Sequence, residues 1–174
     1  MKLAEKLEVM FTKDQIAKRV QEMGAQIERD YAGKDLLLLG VLKGSFVFIS
    51  DLSRSIDLPL SVDFIGLSSY GEATESSGVV KITSDVSKPI ENKHVLIVED
   101  IVDTGLTMRY LLDNLATRHP SSVKLCTLLS KPARSRTRIP IDYLGFEIED
   151  RFVVGYGLDA AETYRNVPFI GVLK

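Results

Sequence analysis

An α/β fold, with a central, mostly parallel twisted sheet flanked by helices, follows from three observations on this sequence. Short apolar runs of strand length recur at residues 36–41, 60–67, 95–98 and 123–129. Segments with helical apolar spacing separate most of them, and a crossover helix makes the strands it joins parallel. Residues 95–107, VLIVEDIVDTGLT, change from one period to the other across a glycine-bearing loop. In an open parallel sheet that junction lies at the carboxyl edge, where ligands bind.

Taken in order, Thr12 followed by Gln15 makes a capping box for a helix running to about Arg29. Ile16, Val20, Met23 and Ile27 form its buried stripe. Residues 36–41 are a buried strand, and LKGS at 42–45 turns the chain into a helix through Phe46, Ile49 and Leu52. The strand at 60–67 leads into SSYGEATESSG, a polar segment with almost no apolar anchors that reads as a long mobile loop of the lid kind. Residues 79–83 then return as the second strand of a hairpin. Val95 to Val98 form a strand buried on both faces. The helix opening at Thr104 runs to about Arg118, with Leu106, Tyr110, Leu111 and Leu115 on its apolar side. After the strand at 123–129, shorter strand-like pieces surround Tyr143, residues 152–154 and residues 169–172. This tail adds a small hood or edge to the sheet.

Composition narrows the class. The chain has 174 residues, enough for one core, and reads as a single domain over 1–174. Lys and Arg total 22 against 24 Asp and Glu, so the net charge of −2 leaves no broad footprint for nucleic acid. No apolar run approaches the ~20 residues that span a bilayer, so no membrane partner is expected. The opening MKLAEKLEVMFTKD carries acids through its apolar stretch, which argues against a secretory signal and for a cytoplasmic location. The single cysteine, Cys126, sits in the strand pattern VKLCTLL and reads as a small core residue.

The loop after the strand at 95–98 carries the chemistry. Its backbone N–H groups, Gly105 and the hydroxyls of Thr104 and Thr107 suit a phosphate. Glu99, Asp100 and Asp103 would repel a bare anion. Together they call for a ligand that bears phosphate, hydroxyls and a divalent cation. A P-loop NTPase is disfavoured, since GxxxxGK[ST] is absent from the sequence. The dinucleotide-like run Gly155-Tyr-Gly157-Leu-Asp-Ala160 is an accidental match. Only 14 residues follow it, too few for the βαβ unit and distant acid such a site needs. Its glycines serve close backbone approach instead.

Residues 95–107 resemble the phosphoribosyl pyrophosphate signature of the 6-oxopurine, or hypoxanthine (guanine), phosphoribosyltransferase family. The resemblance extends through VLKGS at 41–45, SSYG at 68–71, SKPAR at 130–134 and GFEIEDRFVVGYGLDAAETYRN at 145–166, in the family's order. It implies a type I phosphoribosyltransferase fold, with a hood from the N-terminal segment and residues from about 130 to 174, and a flexible lid. It implies purine salvage: Mg²⁺-dependent transfer of a phosphoribosyl group to hypoxanthine and guanine. It also implies a homodimer or homotetramer.

Roles carry over residue by residue. The loop Asp103, Thr104, Gly105, Leu106 and Thr107 would hold the 5′-phosphate, and Glu99 and Asp100 the ribose hydroxyls and Mg²⁺. Asp103 would be the general acid/base near N7 of the purine. Lys131 would read the 6-oxo group, Phe152 stack on the base, and the Val153 carbonyl meet its edge. Asp159 would hold a second Mg²⁺ at the pyrophosphate and also count among the residues around the base. Arg165 would contact pyrophosphate through its planar fork. Lys43 and Gly44 match the pyrophosphate loop, where the family implies a strained, sometimes cis, peptide before the lysine. Ser69 and Tyr70 match the Ser-Tyr pair of the lid.

From the residues alone, blander roles compete. Phe152 is as well placed in a core, Asp103 could cap a helix, and Ser69 and Tyr70 could be ordinary loop residues. Leu106 departs from the family pattern where some members carry lysine. That leaves the backbone cradle intact but removes side-chain help with charge or subunit contacts. A competing function is a regulator of the same fold that binds nucleotide and RNA. The acidic charge and the joint presence of Asp103, Lys131, Asp159 and Arg165 count against it.

Overall fold

Alternate residues of a strand face opposite sides of its sheet, so a sheet covered on both faces needs two cores. The computed structural model describes residues 2–70 and 79–174 and contains both. A 3-10 turn, Leu3–Lys6, precedes β1 (Leu7–Phe11), α1 (Lys13–Tyr31), β2 (Leu36–Leu42) and α2 (Phe46–Arg54). Then come β3 (Leu60–Tyr70), β4 (Val79–Ser84), β5 (His94–Val102) and α3 (Leu106–Ala116). The chain ends with β6 (Ser122–Ser130), a 3-10 turn at Pro132–Arg134, β7 (Tyr143–Glu147), β8 (Val153–Val154) and β9 (Ile170–Leu173).

The main sheet has six strands in the order β4-β3-β2-β5-β6-β7, parallel except for β4. On one face Leu36, Leu38, Leu96, Val98 and Cys126 pack against Ile16, Val20, Met23 and Ile27 of α1 and Phe48, Ile49 and Leu52 of α2. On the other, Leu37, Leu39, Val95, Ile97 and Leu125 meet Met108, Leu111 and Leu115 of α3. A smaller antiparallel sheet, β1-β9-β8, joins the two ends of the chain. It stands where the hood is expected.

Several boundaries differ from expectation, each for a stated reason. The strand expected to end at Leu67 runs on through Ser68, Ser69 and Tyr70, because the edge strand β4 pairs with them (Ser69↔Val80, Tyr70↔Val79). Residues 71–78, the middle of the expected lid, lie outside the described residues. Tyr143–Glu147, counted with the hood from sequence, pairs with β6 as the sixth strand of the main sheet. The third helix starts at Leu106 instead of Thr104, since Gly105 has φ +83° and cannot be helical. Its buried face uses Met108 with Leu111 and Leu115, while Leu106 and Tyr110 are half-buried. Cys126 is fully buried, as expected of a core residue.

Candidate active site

Parallel strands bring their carboxyl ends to one edge of the sheet. The chain leaves β2 on one side of β5 and enters β6 on the other, so loops part at this point and leave a crevice. The loop after β2 carries Lys43 and Gly44, that after β5 carries Asp103 to Gly105, and that after β6 begins with Lys131. A cavity of about 140 Å³ opens here, lined by Glu99, Asp103, Thr104, Gly105 and Thr107 among others.

Glu99 and Asp100 lie within β5 instead of beyond its end, since pairing with β6 continues to Val102↔Ser130. Glu99 lines the cavity, whereas Asp100 faces the Lys43 loop so closely that a Cβ on Gly44 would stand 1.7 Å from its Oδ2. The alternation slips immediately afterwards: Ile101 packs with Leu96 and Val98, and Val102 with Val95 and Ile97. Neither acid caps a helix. Glu99 is 7% exposed, and burial together with neighbouring Asp100 pushes its carboxyl well above the usual carboxylate range. Its Oε1 accepts from the Asp100 amide at 3.0 Å.

The β5–α3 loop is shaped by contact on its outer side. The amides of Arg136 and Thr137 donate to the Thr104 carbonyl at 2.9 and 3.3 Å. A Cβ on Gly105 would come within 2.9 Å of the Thr137 carbonyl oxygen. The Leu106 amide donates to Thr104 Oγ1 at 3.4 Å. Gly105, not Asp103, is the N-cap of α3. Asp103 instead accepts from Arg134 Nε at 2.6 Å.

Lys131, expected to read the base, is 8% exposed and lies 3.6 Å from Asp150. Val153 is buried in β8, while Phe152 is 60% exposed, so the core alternative for Phe152 is excluded. Ser69 is exposed on the β3–β4 ladder, and Tyr70 shares that strand.

The peptide between Leu42 and Lys43 is cis, as the resemblance implies. Opposite it lies the hood segment 155–165. Gly157, φ +100°, approaches so closely that a Cβ there would be 2.2 Å from the Gly44 carbonyl oxygen. Gly155, φ +95°, is held as tightly against the Phe169 carbonyl, so both glycines of the dinucleotide-like run serve backbone approach. Arg165 donates to the Gly157 carbonyl at 2.8 Å and pairs with Asp159 at 3.1 Å. Lys43 Nζ and Glu162 Oε2 are 2.8 Å apart, and the Lys43 ammonium holds the exposed Glu162 carboxyl below its ordinary range.

Arg134, Asp150 and Glu162 were not singled out from sequence, although each lies within a motif block. Their signal was a charge of opposite sign to an expected site residue. Which charges meet is a tertiary fact.

Loops after three parallel strands thus converge at the carboxyl edge of the sheet, where open α/β sheets bind ligands. A family model, the phosphoribosyl transferase domain, matches residues 10–161. A hypoxanthine-guanine phosphoribosyltransferase from Dictyostelium discoideum is 50% identical over 171 residues, covering 96% of this chain and 95% of that protein. One from Bacillus subtilis (strain 168) is 48% identical over 166 residues, covering 95% and 92%. Among solved structures, a hypoxanthine phosphoribosyltransferase from Staphylococcus aureus superposes with TM-score 0.96 at 48% identity, covering 99% of this chain and 94% of that one. The chain belongs to the phosphoribosyltransferase family. Within it, it is a purine-salvage transferase, similar over nearly its whole length to enzymes named for hypoxanthine and guanine. Among the described residues no helix is long and apolar enough to cross a membrane.

Proposed function

We propose that this protein moves the 5-phosphoribosyl group from phosphoribosyl pyrophosphate to hypoxanthine, and to guanine, releasing IMP or GMP and pyrophosphate. The observation that carries this reading is the meeting, at one sheet edge, of the 103–107 loop, the Lys43–Gly44 loop and Lys131. The reaction breaks a carbon–oxygen bond at the anomeric carbon and forms a carbon–nitrogen bond to the purine. Its cation-like transition state needs the phosphate anchored, the ribose oriented and the leaving group neutralised. The amides and hydroxyls of Asp103 to Thr107 grip the 5′-phosphate. Glu99 and Asp100 orient the ribose hydroxyls, and Lys43, Gly44 and Arg165 meet pyrophosphate. Lys131 donates to the 6-oxo group, Phe152 stacks on the base, Val153 meets its edge, and Asp103 takes or returns the proton at N7. Ser69 and Tyr70 belong to the lid.

Mg²⁺ fits the donor chemistry. Glu99 and Asp100 offer hard oxygens, and burial already strains the Glu99 carboxyl in a way that a cation's charge would relieve. Among the described residues no cluster of three metal-ligating side chains forms. Mg²⁺ usually takes one or two carboxylates and completes its shell with substrate phosphates and water. Asp159 suits a second ion beside the pyrophosphate. When bound, Mg²⁺ neutralises charge on the leaving group. A homodimer or homotetramer and a cytoplasmic setting belong to the same reading.

The test measures pyrophosphate release from donor and Mg²⁺ with hypoxanthine, guanine, xanthine or adenine. Release with hypoxanthine and guanine, lowered about a hundredfold or more by Asp103→Asn with donor binding retained, is expected. Tight nucleotide binding without turnover on any base would overturn the enzyme reading. Unchanged single-turnover rates in Asp103→Asn would remove the acid/base role.

A further inference from the structure

The segment after β6 is laced to the loop after β5. The Lys131 amide donates to the Val102 carbonyl at 2.9 Å, and the Arg136 amide to the Thr104 carbonyl at 2.9 Å. These bonds bracket Asp103 on one side and Arg134 on the other, and the two side chains meet with Nε 2.6 Å from Oδ1. Asp150, three residues beyond β7, completes the arrangement. Its Oδ2 lies 3.5 Å from Arg134 and its Oδ1 3.6 Å from Lys131. Lys131 is nearly buried, and Asp150 is its carboxylate partner among the described residues.

We propose that Arg134 is a positioning residue for Asp103, and that Asp150 ties Arg134 to Lys131. The proton acceptor and the base-reading cation are then set by one chain of charges, Lys131–Asp150–Arg134–Asp103. This rests on the roles given above to Asp103 and Lys131. Arg134 engages a single oxygen of Asp103, and among the described residues the other oxygen carries no hydrogen bond. The guanidinium therefore fixes the carboxylate's rotation and leaves Oδ2 for the purine. Geometry of this kind acts on turnover more than on binding, because a misplaced acceptor is felt when the proton moves. Asp150 pairs with Lys131 through one oxygen and with Arg134 through the other, so its loss acts on both ends of the chain. Arg134 is also an exposed side chain, so replacing it leaves the cores untouched.

A double-mutant cycle tests the link, because a residue that acts only through another has no effect once that other is gone. Single-turnover rates are compared for the parent, Arg134→Gln, Asp103→Asn and the double variant. Arg134→Gln is expected to slow transfer about tenfold in the parent and less than about twofold in the Asp103→Asn background, with donor KM changed less than about twofold. Arg134→Lys should recover part of the loss. Asp150→Asn should slow transfer and also raise the KM for hypoxanthine. Equal fold losses in both backgrounds, or a donor KM raised tenfold with turnover intact, would place Arg134 on the donor or the fold and overturn the proposal. An unimpaired Asp103→Asn would instead sink the acid/base reading itself. The two failures are therefore distinguishable.

Discussion

Gly157 has no room for a side chain: its φ is +100°, and the Gly44 carbonyl oxygen would stand 2.2 Å from an added Cβ. Backbone does not yield as a flexible side chain does, so alanine here must part the hood segment from the Lys43 loop. The same loop is pressed from its other side by Asp100 at Gly44. Gly157→Ala is therefore expected to cost about 1–3 kcal/mol of stability. It should also raise the donor KM about tenfold, since a displacement near 1 Å is enough to spoil a positioned contact. Denaturant melts and donor titrations check this. A variant with parent-like stability and KM would mean that the loops separate freely. From sequence this glycine was legible only as a point of close approach. Which backbone it approaches depends on residues more than a hundred positions away. Arg134 and Asp150 were hidden for the same reason. Their opposite charges are visible in SKPAR and GFEIEDRF, but the backbone bonds that align Arg134 with Asp103 exist only in the folded chain.

Elements set by local rules were the most legible. In α1 the Thr12 hydroxyl accepts from the Gln15 amide at 3.2 Å, and the Gln15 side chain accepts from the Thr12 amide at 2.8 Å. Both halves of the capping box lie within four residues, and the stripe Ile16, Val20, Met23, Ile27 repeats at helical spacing. Thr12→Ala should destabilise the protein by about 1 kcal/mol. That shifts the midpoint of thermal unfolding by about 2–4 °C for a chain of this length, with the activity of the folded protein unchanged. A shift near zero would mean that packing of the stripe alone defines the helix start. Elements set by pairing were less legible. Ser68, Ser69 and Tyr70 lack an apolar alternation, yet β4 supplies ladder partners and the strand continues through them. Tyr143–Glu147 carries only half-buried residues apart from Tyr143 and an exposed end, and β6 makes it a strand. Glu99 and Asp100 reach different neighbours because β5 continues past them and slips phase only at Ile101.

The molecule carries two sheets, and the proposed site spans both. The main sheet is sandwiched between two extensive cores; the small sheet β1-β9-β8 sends Val153 and Ile170 into one of them and turns Leu7 and Val154, with Val167, to a separate small cluster. The donor loop follows β5 of the main sheet, and Phe152 immediately precedes β8 of the small one, which opens with Val153. Leu7 is 4% exposed and joins the N-terminal strand to the remainder of the hood, with Leu7↔Leu173 opening the ladder. Truncating it to alanine removes packing worth about 2–5 kcal/mol in a rigid core. In a small sheet at the edge of the fold, that loss falls first on local opening and not on global unfolding. Leu7→Ala should therefore speed amide exchange in β1, β8 and β9 while β2 and β5 keep their protection. If the base is held by the hood and the donor by the main sheet, the hypoxanthine KM should rise several-fold, and donor affinity should change less than about twofold. Parallel losses for base and donor, or exchange that quickens equally in β5, would mean that the hood and the main sheet open as one unit.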